Sequence, residues 1–452
     1  MKKVLPIIIG LCLSQYASAE DLIQVYEQAK SNNPTLFSAA AQRDKAYAAI
    51  SGDRAALLPQ IGLTGSYGVT HGARASDNQN NKNKSLGLSL SQSLFNFAAW
   101  KQLDITEKQA ALQDISYENQ EQQLILNTAT AYFEVLRAID ALEVLQAQKN
   151  SLYRQLEQTR QKHRVGLVAI TDVQNVQANY DQTIAQLVSA HNTLNNNIEN
   201  LRLVTGRFYP SLASVNPKTF KTALPENING LLELAQSNNL SLLTAKLGQE
   251  LAKEQIRLAE SGHLPTLTLQ ATSNLGRTDY YGDQLSAQYQ NNNNQINGSN
   301  AVSLNLQMPI FSGGATHSKV KQAQYNYVDY SEQLENANRT VVNQVRSAHN
   351  NISASISSIK AYQQTVISAQ SSLDATESGY KVGTRTIVDV LSATSTLYNA
   401  KQQLSNAKYT YLTSLLNMKY STGTLSISDL VYLNNMLGMN VDTIIPMSEM
   451  SE

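Results

Sequence analysis

The 452-residue chain has a single cysteine, Cys12, and it lies within the first nineteen residues. Everything after Ala19 is therefore barred from disulfides, thiol catalysis and cysteine-held metals. Charge is scarce as well: Asp, Glu, Lys and Arg make up 15% of the chain, and the two signs balance at 35 each. There is no basic excess of the kind that marks a nucleic-acid binder. No apolar run reaches the roughly eighteen residues of a transmembrane helix. The six histidines (His71, His163, His191, His263, His317 and His349) form no metal-spaced cluster. No Ser-His-Asp set, phosphate loop or carboxylate pair is recognisable, so the expectation is no metal, no cofactor and no enzyme.

Residues 1–19 read as a secretory signal. Lys2 and Lys3 precede an apolar run from Val4 to Leu13, and Ala17-Ser18-Ala19 supplies the small-residue cleavage site. The run is too short for a membrane anchor. Leu11 before Cys12 also departs from a lipidation signal, which wants Gly or Ala there.

The remainder is written twice. Ala29-Lys30-Ser31-Asn32-Asn33 with Leu58-Pro59 returns about 206 residues later as Ala235-Gln236-Ser237-Asn238-Asn239 with Leu264-Pro265. Arg164-Val165-Gly166 and Thr205-Gly206 return about 217 residues later as Lys381-Val382-Gly383 and Thr422-Gly423. The extra residues fall in an Asn-rich stretch between two strands of the second copy. This is a tandem duplication with its length change confined to a loop. The first repeat spans 20–206, an inter-repeat equatorial linker 207–229, the second repeat 230–423, and an equatorial or disordered tail 424–452.

Each copy opens with a helix of about thirty residues, ended by Pro59 or Pro265. Hairpins follow at about 60–95 and 265–311. Ile61, Leu63, Tyr67 and Val69 alternate with Gly62, Thr64, Ser66, Gly68 and Thr70, and the other three strands repeat the pattern. Strands of about ten residues suit a tilted bilayer crossing. A small, polar opposite face suits a water-filled lumen. Four strands cannot close a barrel, and an open edge in lipid leaves backbone groups unpaired, so membrane insertion demands an oligomer. Proline-free helices then run over 97–163 and 315–380, each about 100 Å at 1.5 Å per residue. Leu124, Ala138 and Leu152 with Val135, Leu142 and Leu156 give one heptad seam. Ile125, Tyr132 and Ile139 give a second, which predicts helical neighbours on both sides. Return helices follow at 172–204 and 389–420. Arg137 and Asp140 read as a solvated pair. The fold class expected is mixed α and β, mainly α, with four transmembrane strands and long coiled-coil helices per chain. A competing reading is a non-conducting periplasmic coiled-coil scaffold or adaptor.

This layout resembles the TolC family of outer-membrane factors over essentially the whole chain after residue 19. The resemblance rests on the paired Ser-Asn-Asn segments, Leu-Pro before the strands, and Phe311-Ser312-Gly313-Gly314. The two tips, 165–172 and 379–389, carry it most specifically. It implies a homotrimer in the outer membrane of a Gram-negative bacterium, closed as a trimeric β-barrel plus an α-helical barrel that reaches across the periplasm. It further implies docking with a periplasmic adaptor (membrane fusion) protein and an inner-membrane efflux pump or ABC transporter, for drug efflux or type I secretion. By the same resemblance Asp172 accepts bonds from Tyr380 and Arg385, assisted by Thr171, while Gln155 and Glu377 form a further cross-link. Together these shut the periplasmic entrance. Asp389 is expected to form an acidic ring, alone, since Ser392 stands where a second acid is common; helix capping is the competing role. Val165, Gly166 and Leu167 with Val382, Gly383 and Thr384 are the expected adaptor contacts, the glycines doubling as turn formers.

Overall fold

A computed structural model of the chain describes residues 20–71, 80–225, 227–281 and 295–445. The expected secretory signal lies outside them, as do most of the two hairpin loops. In chain order the elements are α1 (Leu22–Asn32), α2 (Pro34–Ala55), β1 (Gln60–Thr70), β2 (Asn81–Phe95), α3 (Phe97–Arg164), α4 (Ile170–Thr205) and β3 (Ser211–Val215). The second copy gives α5 (Ile228–Asn238), α6 (Leu240–Glu260), β4 (Thr266–Tyr280), β5 (Ile296–Gln307), α7 (Ala315–Lys381) and α8 (Ile387–Ser421). The chain closes with α9 (Ile427–Asn434) and β6 (Leu437–Asp442). Two compact units result, the chain passing between them within α2, α3, α6 and α7.

One unit comprises Ala39–Tyr117 and Leu242–Ala337 and contains a four-stranded antiparallel sheet in the order β1-β2-β4-β5. Register places Ile61 opposite Leu90, Leu90 opposite Ala271, and Ala271 opposite Val302. Opposed residues point to one side. Every second row therefore builds one apolar face, with Ile61 71% and Val302 77% exposed. The intervening rows are small and polar, as in Thr64–Gly87–Asn274–Ser299. In that row Gly87 is closely flanked: a Cβ would lie 2.6 Å from Asn274 Oδ1 and 2.9 Å from Thr64 Oγ1, so those side chains would have to shift.

The other unit holds the described residues up to Ser38, with Glu118–Ser241 and Asn338 onward. Here the opening helix of each copy is not continuous. It breaks at Asn33 and Asn239, because each asparagine meets the end of its copy's return helix. Asn33 Nδ2 donates to Val204 O at 3.3 Å while its Oδ1 accepts from the Leu36 amide at 3.0 Å. Asn239 Nδ2 donates to Ser421 O at 2.8 Å. The recurring Ser-Asn-Asn motif is thus a junction that caps a helix end. Gly206 and Gly423 stop those return helices in the left-handed conformation.

The segment read as a possibly disordered tail contains α9 and β6. β6 pairs antiparallel with β3 inside the stretch expected to be a linker. This small sheet also bears on the second seam of α3. Ile125, Tyr132 and Ile139 are all buried, and the Tyr132 hydroxyl donates to Ala213 O at 2.6 Å, so β3 is one of its partners. The expected Arg137–Asp140 pair does not form. Arg137 pairs with Glu134 at 3.0 Å, and Asp140 accepts from Ser405 Oγ at 2.5 Å. Burial pushes the Asp140 carboxyl above its usual range, against the Ser405 bond and the Lys408 charge.

Two outcomes are expected. A Cβ on Gly423 would sit 2.1 Å from Asn238 O, whereas one on Gly206 would meet only Asn32 Cβ at 3.6 Å. Gly206→Ala should therefore cost about 1–2 kcal/mol for its left-handed backbone, and Gly423→Ala clearly more, in thermal unfolding followed by circular dichroism. For Asp140, the folded state holds its proton more tightly than the unfolded chain, whose carboxyl titrates near 3.9. Its contribution is most favourable at low pH and falls as pH rises through the raised folded value. Asp140→Asn should raise the melting temperature at pH 7, and the gap should close toward pH 4.

Candidate functional site at the helical tips

Four helix ends meet at the tips. Both turns are built the same way. Gly166 (φ 78°) and Gly383 (φ 82°) take the left-handed conformation, and the next residue's amide reaches back to the helix. Leu167 N donates to Lys162 O at 2.9 Å, and Thr384 N to Gly379 O at 2.8 Å. Behind them α3, α4, α7 and α8 share a core of Leu152, Leu156, Val176, Leu373, Ile387 and Val390. The turns themselves present Val165, Leu167 and Val382, each at least 70% exposed.

The second copy starts its return helix with a capping box. Asp389 Oδ2 accepts from the Thr386 amide and hydroxyl, both at 2.9 Å, and the Asp389 amide donates to Thr386 Oγ1 at 3.2 Å. Those bonds, with help from the Arg385 charge, hold the Asp389 carboxyl below the usual carboxylate range. The capping role weighed for Asp389 is thus occupied. In the first copy Ala169 stands where Thr386 does and offers no side-chain cap. Its counterpart acid, Asp172, is half-buried and has no hydrogen bond or ion pair to its carboxylate among the described residues. The two duplicated acids therefore differ: one is committed to its own helix, the other is open to outside donors.

The bonds expected from Tyr380 and Arg385 to Asp172 are not made within one chain, nor is the Gln155–Glu377 cross-link. Gln155, 8% exposed, donates through Nε2 to Thr394 Oγ1 at 3.1 Å, and its Oε1 is buried without a partner. Tyr380 packs on the tip core under Lys162 Nζ, 3.9 Å from its ring centroid, and its buried hydroxyl also lacks a partner. Gln155, Glu377 and Tyr380 line one cavity of about 410 Å³, with Arg154, Lys162 and Lys381. An unmet buried polar group costs about 1–3 kcal/mol, so both atoms favour any donor or acceptor that enters from outside the described residues. Arg385 is exposed; its stem lies over Gly379, where a Cβ would come within 2.7 Å of Arg385 Cγ. Thr171 is exposed. Gly379 and Thr394 escaped the sequence reading. The glycine left a visible signal, since the first copy has Lys162 at that position; Thr394 left none.

Residues 25–207 and 231–424 match the outer membrane efflux protein family. The chain belongs to that family. It is 54% identical over 450 residues to the outer membrane protein TolC of Escherichia coli K12, covering 98% of this chain and 91% of the relative. It is 28% identical over 435 residues to the proteases secretion protein PrtF of Dickeya chrysanthemi, covering 92% and 91%. Among solved structures, CusC superposes with a TM-score of 0.78 at 17% identity over 90% of this chain and 93% of that one.

The capping box should be separable from the rest of the tip. Thr386→Ala should speed amide exchange in the first turn of α8 several-fold at neutral pH. The difference should shrink, to what the Asp389 amide–Thr386 Oγ1 bond alone contributes, as pH falls through the depressed Asp389 value and the carboxylate is lost.

Proposed function

We propose that three copies of this chain close one twelve-strand barrel in the outer membrane, with the helical tips as its periplasmic gate. The protein is an outer-membrane exit duct for efflux and type I secretion. The observation that carries the assembly is the sheet: one apolar face, one small polar face, and two unpaired edges on β1 and β5. Strand directions alternate, so β5 of one copy meets β1 of the next antiparallel, and three copies of four strands give an even, closed barrel. Phe95, Trp100 and Phe311 toward the helical side and Tyr67 toward the loops are exposed where aromatic girdles belong.

At the tips, Asp172 is the acceptor for Arg385 and Tyr380 once neighbouring chains are in place, and Thr171 flanks it. Gln155 Oε1 and the Tyr380 hydroxyl find partners in the same event, with Glu377 beside them. Charge-assisted bonds of this kind are directional yet weak in partial solvent, so a docking partner can replace them. Three Asp389 carboxylates, held ionised by their caps, make the acidic ring that favours cations. A periplasmic adaptor, joined to an inner-membrane pump or ABC transporter, takes the exposed apolar turns at 165–167 and 382–384. Opening follows because the adaptor binds the open state better.

The test is single-channel recording of the chain without residues 1–19 in a planar bilayer. Wild type should give a small, cation-preferring conductance that rises several-fold in Arg385→Ser. Ala169→Thr should raise it too, because a capping box on α4 would draw Asp172 away. Conductance unchanged by both variants would remove the latch. A folded trimer that conducts nothing would return the protein to the periplasmic scaffold reading.

A further inference from the structure

The four strands of the larger sheet contain only four charged side chains: Lys82, Lys84, Arg277 and Asp279. All stand on the apolar face, in the two rows nearest the loops. Tyr67 lies opposite Lys84, Lys84 opposite Arg277, and Arg277 opposite Ile296; in the next row Val69 lies opposite Lys82, and Lys82 opposite Asp279. The far end of the same face, around Phe95, Leu267 and Leu306, has no charge among the strand residues. The polar face has none either. Charge in this sheet is therefore confined to one side and one end.

Within the cluster, Asp279 accepts from Arg277 Nε at 2.6 Å and lies 3.6 Å from Lys84 Nζ. Lys82 Nζ sits 5.4 Å from the Tyr281 ring centroid. One carboxylate pairs with two of the cations, and with Lys82 beside them the cluster is left net positive. Lys84 keeps 54% of its side chain exposed and Arg277 37%.

The geometry points to a docking site for phosphate groups on the sugar headgroup of an outer-leaflet glycolipid. This inference rests on the reading of the sheet as part of an outer-membrane barrel. On a lipid-facing wall, cations just beyond the apolar rows stand at headgroup level, where anionic lipids attract them. Opposed residues on neighbouring strands lie about 5 Å apart, so Lys84 and Arg277 can hold one phosphate between them. Lys82, two residues along, stands about 7 Å away and reaches a second. The choice of glycolipid over phospholipid comes from the asymmetry. A single bilayer composition would reward cations at both ends of the face, and here only the loop end, the one away from the long helices, has them.

The test uses the folded wild-type trimer and the Lys82→Gln/Lys84→Gln trimer in detergent micelles. Retention of three lipids is read by native mass spectrometry: bis-phosphorylated lipid A, lipid A stripped of phosphate, and phosphatidylglycerol. Wild type should retain the phosphorylated glycolipid about tenfold better than the stripped form, and the double variant should lose most of that preference. Equal retention of both glycolipids, or a preference untouched by the double variant, overturns the site. Phosphatidylglycerol held as well as phosphorylated lipid A overturns the glycolipid assignment in favour of any anionic lipid. Planar-bilayer conductance on the same preparations separates the two levels. Conducting trimers without phosphate preference sink this inference alone, and trimers that never conduct sink the barrel reading beneath it.

Discussion

Everything in this protein follows from the need to pair backbone amides and carbonyls inside a bilayer. A four-stranded sheet satisfies its interior and leaves both edge strands bare. In hydrocarbon each bare group costs several kcal/mol, so a single chain is a fragment and only a ring of chains is a membrane protein. The duplication serves this demand economically. In the proposed trimer, two hairpins per chain let three copies reach a barrel wide enough to hold water. In that proposal the helices share the ring's symmetry. Gln155 Oε1 and the Tyr380 hydroxyl, buried and without partners among the described residues, are where the proposed assembly has bonds to offer.

The two copies began alike and have diverged where a division of labour is possible. Thr386 and Asp389 complete a capping box; Ala169 and Asp172 do not. One missing hydroxyl separates an acid that stabilises its own helix from one whose carboxylate has no bond among the described residues. Gly379 and Lys162 make a second such pair. The glycine admits the Arg385 stem against the end of α7, and the lysine instead covers the Tyr380 ring. The proposed gate needs no new residues, only the loss of local bonds at one of two equivalent positions.

Much of this was legible in the residues. The strand alternation, the glycine turns at Gly166 and Gly383 and the proline-free helices are local rules, and the structure places those elements within a few residues of where the pattern does. What the sequence hid was long-range. Nothing beside Asn33 and Asn239 announces that each will bond a helix end 171 or 182 residues away. The apolar period of α3 shows that Tyr132 is buried, but not that a strand, β3, buries it. Asp140 was misjudged for the same reason: i, i+3 spacing to Arg137 suggests a surface pair, and only the approach of Ser405 from α8 turns it inward. For Asp172 and Arg385 the limit is deeper, because the bond proposed between them joins neighbouring chains.

The polar face of the sheet has one further consequence. Threonine, serine, asparagine and glycine line it, in rows such as Thr64–Gly87–Asn274–Ser299, and no strand residue puts a charge there. Hydroxyls and amides trade hydrogen bonds with water at little net gain. A passenger of either sign, or of none, finds no foothold on such a wall and is neither detained nor sorted by it. The lining behaves as a non-stick surface, and residence time in the bore is left to diffusion.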